Sequence, residues 1–81
     1  MNRHGLICEK LRKLGYRSER RIRLYGEELH LISNPIHDGE GFSVAGMVVK
    51  SGNIRHIRIP LTVVSMVERE VAALEIDMKP V

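Results

Sequence analysis

The chain has almost no aromatic residues: no tryptophan, one phenylalanine and two tyrosines in 81 residues. Its core must therefore be aliphatic, built from the Ile, Leu, Val and Met that supply most of its 43% hydrophobic content. A single cysteine, Cys8, excludes an intrachain disulfide and a multi-cysteine zinc site, and it fits a reducing compartment. No run approaches the roughly 18–20 apolar residues of a membrane span. Met1 to Gly5 lead into a charged amphipathic pattern and not an apolar signal core, so the expectation is a cytoplasmic protein of bacterial type. There are no internal repeats, no low-complexity stretch, no GxGxxG or P-loop, no Ser/His/Asp set and no carboxylate pair of defined spacing. Enzymatic activity thus has no positive support, and neither cofactor nor metal is expected. A chain of this length makes one domain that buries about 60–65% of its unfolded surface.

What is present is an uneven charge. The formal total is +3, but residues 1–25 hold eight basic and two acidic side chains, a net +6, and residues 26–81 a net −3. Such asymmetry suggests an anionic partner for the N-terminal part.

Hydrophobic spacing gives the elements. Ile7, Leu11 and Leu14 recur at i, i+4 and i+7, predicting a helix over about 3–14, with Asn2 as N-cap. Gly15 at C′ and Tyr16 at C″ suit a Schellman ending over Leu11. Residues 20–32 alternate as a hairpin. A type II′ turn at Gly26-Glu27 would place Leu24 opposite Leu29 and Ile22 opposite Leu31. Residues 33–41 are rich in turn formers and predict a loop. Residues 42–64 predict a second hairpin, turning at Gly52-Asn53, with Phe42, Val44, Val48, Ile57, Ile59, Leu61 and Val63 on its buried face. One cost is visible in that register, because Lys50 would face Arg55. Ser65 and Glu68 have the spacing of a capping box, predicting a helix over about 66–76 with Val67, Val71 and Leu74 inward, and a frayed tail at 77–81. A helix beginning at Pro60 is the rival reading, disfavoured by the period-two alternation through Val63. The predicted fold is α+β: a small antiparallel sheet of two hairpins, α-β-β-β-β-α, flanked by an N-terminal and a C-terminal helix. A small β-barrel with flanking helices is the alternative.

The candidate site is the basic strand face of the first hairpin. Arg21, Arg23 and Tyr25 share that face with His30 beside them, Arg17 and Arg20 precede them, and Lys10 and Lys13 extend the patch from the helix. Clustered cations bind phosphates, and an aromatic among them stacks on a base. The expected function is a non-enzymatic binding module for nucleic acid or a nucleotide. An acidic protein partner is a second possibility, as is a homodimer through a sheet edge or the Met47/Val49 face; a merely solvated face is the plain alternative. The loop residues His37, Asp38 and Glu40 are potential ligands or acid/base groups, though nothing in the spacing makes them converge. Cys8, beside the apolar stripe, reads as an inert buried thiol, and His4 and His56 as surface histidines.

Two families share parts of this pattern. Arg17-x-x-x-Arg21 followed by Ser43-Val44-Ala45-Gly46 resembles the PilZ motif RxxxR…(D/N)xSxxG, with Gly41 standing at the Asp/Asn position. That resemblance implies cyclic dinucleotide binding on a barrel. The order helix, Leu14-Gly15-Tyr16, strand, Gly26…His30, strand, Ile59-Pro60, helix is similar to HicA-type toxins, whose fold is double-stranded-RNA-binding-like. It implies a ribonuclease role for His30, although Gly26-Glu27-Glu28-Leu29-His30 stands where that family has Gly-Ser-His.

Overall fold

The computed structural model describes residues 2–78, and side chains as far as residue 74. Helix α1 (Arg3–Lys13) is followed by strands β1 (Arg21–Leu24), β2 (Glu27–Leu31), β3 (Ile36–Asp38), β4 (Gly41–Val48) and β5 (Ile54–Arg58), then helix α2 (Leu61–Met78). The result is an α+β domain with an open antiparallel sheet. β4 lies at its centre, with β2 and β3 end to end along one edge, β1 outside β2, and β5 on the other edge. β1 and β5 do not pair, so the barrel alternative does not hold.

α1 begins and ends as its sequence dictates. Asn2 caps it, its side chain accepting from the Gly5 N–H at 2.7 Å. At the other end the Tyr16 N–H donates to the Leu11 carbonyl and the Gly15 N–H to that of Arg12. This is the Schellman pair, with Gly15 at φ 113°.

Both hairpin registers differ from expectation, by an even number of residues. The first turn is Tyr25-Gly26, not Gly26-Glu27, and pairs Ile22 with Leu29 and Leu24 with Glu27. Both turn residues have positive φ, 50° and 76°, the type I′ geometry that follows the natural twist of the strands. The second connection is the five-residue segment 49–53, which pairs Val44 with Ile57 and Gly46 with Arg55. The wider loop removes Arg55 from Lys50 and leaves its guanidinium 3.3 Å from Glu27. Slips of two or four residues keep every side chain on its own face, so burial alone could not choose between these registers.

The expected loop 33–41 contains β3. Residues 32–35 oppose only Val44 and Ala45, so the edge bulges there. The Ala45 N–H, left without a ladder partner, donates to Ser33 Oγ at 2.8 Å. Gly39, at φ 63°, opens the two-residue turn into β4.

The largest correction is at Pro60. Pro60 has no N–H to donate, so the ladder ends beside it. Its carbonyl instead accepts from Val63 (3.0 Å) and Val64 (3.1 Å), and the helix begins at Leu61 instead of residue 66. Leu61, expected inside, is 67% exposed, while Val64, Val67 and Val71 are buried at helical spacing. Leu74 is 42% exposed, and Ser65 lies within the helix and caps nothing. Of the tail expected to fray, 77 and 78 are helical and 79–81 lie outside the described residues.

The core joins these elements: Ile7 and Leu11 of α1, Leu29 and Leu31 of β2, Phe42, Val44 and Val48 of β4, Ile57 and Ile59, and the three α2 valines. Both helices therefore cover one face of the sheet and leave the other open. No helix among the described residues is long and apolar enough to cross a membrane.

Candidate nucleic-acid interface

The eight basic and aromatic candidates do not form one patch. Lys10 points toward α2, where its Nζ lies 3.6 Å from Glu70. Arg21 and Arg23 do share the open face of the sheet with His30, because Arg21 pairs with His30 and Arg23 with Glu28. That face carries its own acids: Glu28 is 4.0 Å from Arg21, and Glu19 is 3.7 Å from His30 Nε2. Exposed pairs of this kind contribute little to stability, but they dilute the local positive potential. The same face also presents Met47 beside Ile54, which is 65% exposed.

Tyr25 is not a strand residue on that face. It occupies the turn, and its hydroxyl donates to the Arg58 carbonyl at 2.9 Å. Its proximity, after burial itself, raises the pKa of Tyr16.

The other cations come together behind α1. A groove of about 570 Å³ runs between the helix and the bulged edge 34–35, lined by Gly5, Cys8, Glu9, Arg12, Lys13, Arg17, Asn34 and Pro35. Gly5, Cys8 and Arg12 lie on one helix face by their spacing, with Glu9 and Lys13 beside them. Arg17 follows the Schellman turn. Its segment is tied to the opposite wall by the Ser18 N–H, which donates to Asn34 Oδ1 at 3.1 Å. Arg12, Lys13 and Arg17 are exposed and form no ion pair among the described residues. Arg12 and Lys13 also suit the negative end of the helix dipole. Arg12 was absent from the sequence-derived set. The signal for it was the helical period, which places it on the face opposite Lys10.

Cys8 forms part of the groove wall. Burial pushes its thiol pKa up, which disfavours the thiolate and makes it a poor nucleophile.

The loop candidates diverge. His37 and Asp38 point to opposite faces of β3, and Glu40 lies in the exposed turn. Asp38 Oδ2 accepts from the buried Ser43 hydroxyl at 3.4 Å. His37 stacks on His4, ring centroids 3.7 Å apart and planes inclined by 15°, with Phe42 against both. His4 is therefore more than an isolated surface histidine. No group of three or more His, Cys, Asp or Glu able to hold a metal occurs among the described residues.

The PilZ-like positions have structural tasks here. The Arg58 guanidinium lies directly over Gly41, in the space a side chain would take, and a side chain at Gly46 would press on Ile57 and Leu31. Arg17, meanwhile, lines the groove and Arg21 the open face. Comparison with known proteins finds no match: no family model, curated protein or solved structure is similar to this chain.

Proposed function

We propose that this protein is a non-enzymatic nucleic-acid-binding module whose phosphate contacts come from the groove behind α1. The observation that carries this reading is the convergence of Arg12, Lys13 and Arg17 on one concave site, unpaired among the described residues, in a chain whose first 25 residues are strongly basic. Concavity matters because low-dielectric walls concentrate the field of the charges that line them. The open-face set, Arg21, Arg23 and His30, is a weaker contributor because Glu28 and Glu19 stand among its cations. Lys10 is occupied by Glu70.

The test is a salt-dependent titration. Binding to DNA or RNA should be measurable at low salt and fall steeply as salt rises. Arg12→Gln/Lys13→Gln/Arg17→Gln should lower the log–log salt slope by about 2 for a single strand, at roughly 0.7 for each phosphate no longer neutralised. Arg21→Gln/Arg23→Gln should change it less. Absence of binding at low salt, or a slope untouched by the triple substitution, overturns the reading.

A further inference from the structure

The groove does not stop at its cations. Followed toward the N-terminus of α1, it passes Cys8 and reaches Gly5, and Gly5 adjoins His4. On the opposite wall, Asn34 and Pro35 lead into β3 and His37. Asn34 is bonded to Ser18 beyond one end of the helix, while His37 stacks on His4 at the other. The strip 34–37 therefore runs antiparallel to α1, and the groove has two chemically different ends. One end is cationic. Just past the other, next to Gly5 in α1 and two residues after Pro35, two exposed imidazoles lie flat on each other, with Phe42 against them.

An imidazole face is a surface on which a nucleobase stacks. In a stacked pair each ring spends one face on the other and leaves one outward. Between Gly5 and Lys13 the helix rises about 12 Å at 1.5 Å per residue. That spans three to four stacked nucleotides at roughly 3.4 Å each. A duplex keeps its base faces, other than those of its terminal pairs, inside its own stack; an unpaired strand can present one to an imidazole along its length.

We propose that the groove binds single-stranded nucleic acid, with a base continuing the His4–His37 stack and the backbone phosphates at Arg12, Lys13 and Arg17. The proposal rests on the phosphate-binding reading of the same groove and adds the base end. Base stacking tolerates any sequence, since every base has a face. Binding is therefore selective for strandedness and indifferent to base identity.

Fluorescence anisotropy at low salt tests this with three probes: an oligothymidylate of about a dozen nucleotides, an abasic strand of equal length and charge, and a duplex of equal length. The oligothymidylate should bind about 5- to 150-fold more tightly than the abasic strand, the range expected for one stacked base. His4→Ala/His37→Ala should remove that advantage and leave abasic binding unchanged. His4→Tyr/His37→Tyr should restore it. Circular dichroism of each variant shows whether the fold is kept, and the tyrosine pair distinguishes lost stacking from lost structure. Equal binding of abasic strand and oligothymidylate by the unsubstituted protein, or tighter binding of the duplex, overturns the stacking and leaves phosphate binding standing. Failure of all three probes to bind overturns both.

Discussion

Leu61 and Val64 exchange roles between the two conformations open to the segment after Ile59. Continued as a strand, Leu61 and Val63 would face the core and Val64 the solvent. As the first turn of α2, Val64 is 3% exposed within the core and Leu61 is 67% exposed. Truncating each to alanine therefore separates the two. Val64→Ala removes two buried methyl groups, at about 0.8 kcal/mol each for transfer. A partly unrelaxed cavity adds to this and brings the loss to about 2 kcal/mol. Leu61→Ala removes a largely hydrated side chain, and alanine and leucine are both strong helix formers, so its effect should stay within about 0.5 kcal/mol. In a domain of this size 1 kcal/mol moves Tm by roughly 4–8 °C. Val64→Ala should then melt about 8–16 °C below the parent, and Leu61→Ala within about 4 °C of it. Scanning calorimetry measures both, and urea unfolding with an unchanged m-value confirms that the native state is affected. A Leu61→Ala loss equal to or larger than that of Val64→Ala would refute the helix start at Leu61.

Two further substitutions probe the irregular edge beside the groove. Ser33→Ala takes away the side-chain acceptor of the part-buried Ala45 N–H; it should cost about 1–3 kcal/mol in urea unfolding and speed exchange of that amide. Glu19→Gly should stabilise by about 0.5–1 kcal/mol, because φ 71° is unfavourable for a residue with a Cβ and the gain exceeds glycine's added chain entropy. A destabilised Glu19→Gly would mean that the exposed side-chain contact with His30 outweighs the backbone strain.

The legible parts of the fold are those in which one local rule had no competitor. Asn2, Gly15 and Tyr16 define the ends of α1 because caps are made within a few residues of themselves. The buried set Phe42, Val44, Val48, Ile57 and Ile59 was readable because alternation assigns faces without knowing the register. Register was not readable for the same reason. The I′ turn at Tyr25-Gly26 puts a tyrosine at positive φ, a position that propensity assigns to glycine or asparagine, and the Gly-X rule favoured the next pair along. β3 was hidden because its three residues acquire a ladder only from β4, and its partner edge is continuous with that of β2. At Pro60 two valid signals conflicted: period-two alternation through Val63, and proline's inability to continue a ladder. The second prevailed because the carbonyl of Pro60 could start a helix at once.

The candidate set was drawn by a different simplification, that of counting charge along the chain, which does not say which cations share a surface. Lys10 and Arg12 are two residues apart, which on a helix is about 200° of rotation. One consequently meets Glu70 across the core-facing flank, and the other opens onto the far side of α1. A net +6 over residues 1–25 is real, but the helix sends Lys10 to an ion pair with α2 and Arg12 and Lys13 to the groove, and β1 directs Arg21 and Arg23 onto an open face with its own acids. Gly5 follows the same geometry. Judged as a helix former it only weakens the first turn, yet it lies on Arg12's face and forms part of the groove beside His4. The rotation that separates Lys10 from Arg12 also aligns Gly5, Cys8 and Arg12. Helical phase, more than charge density, therefore determines which cations of this chain can act on one ligand together.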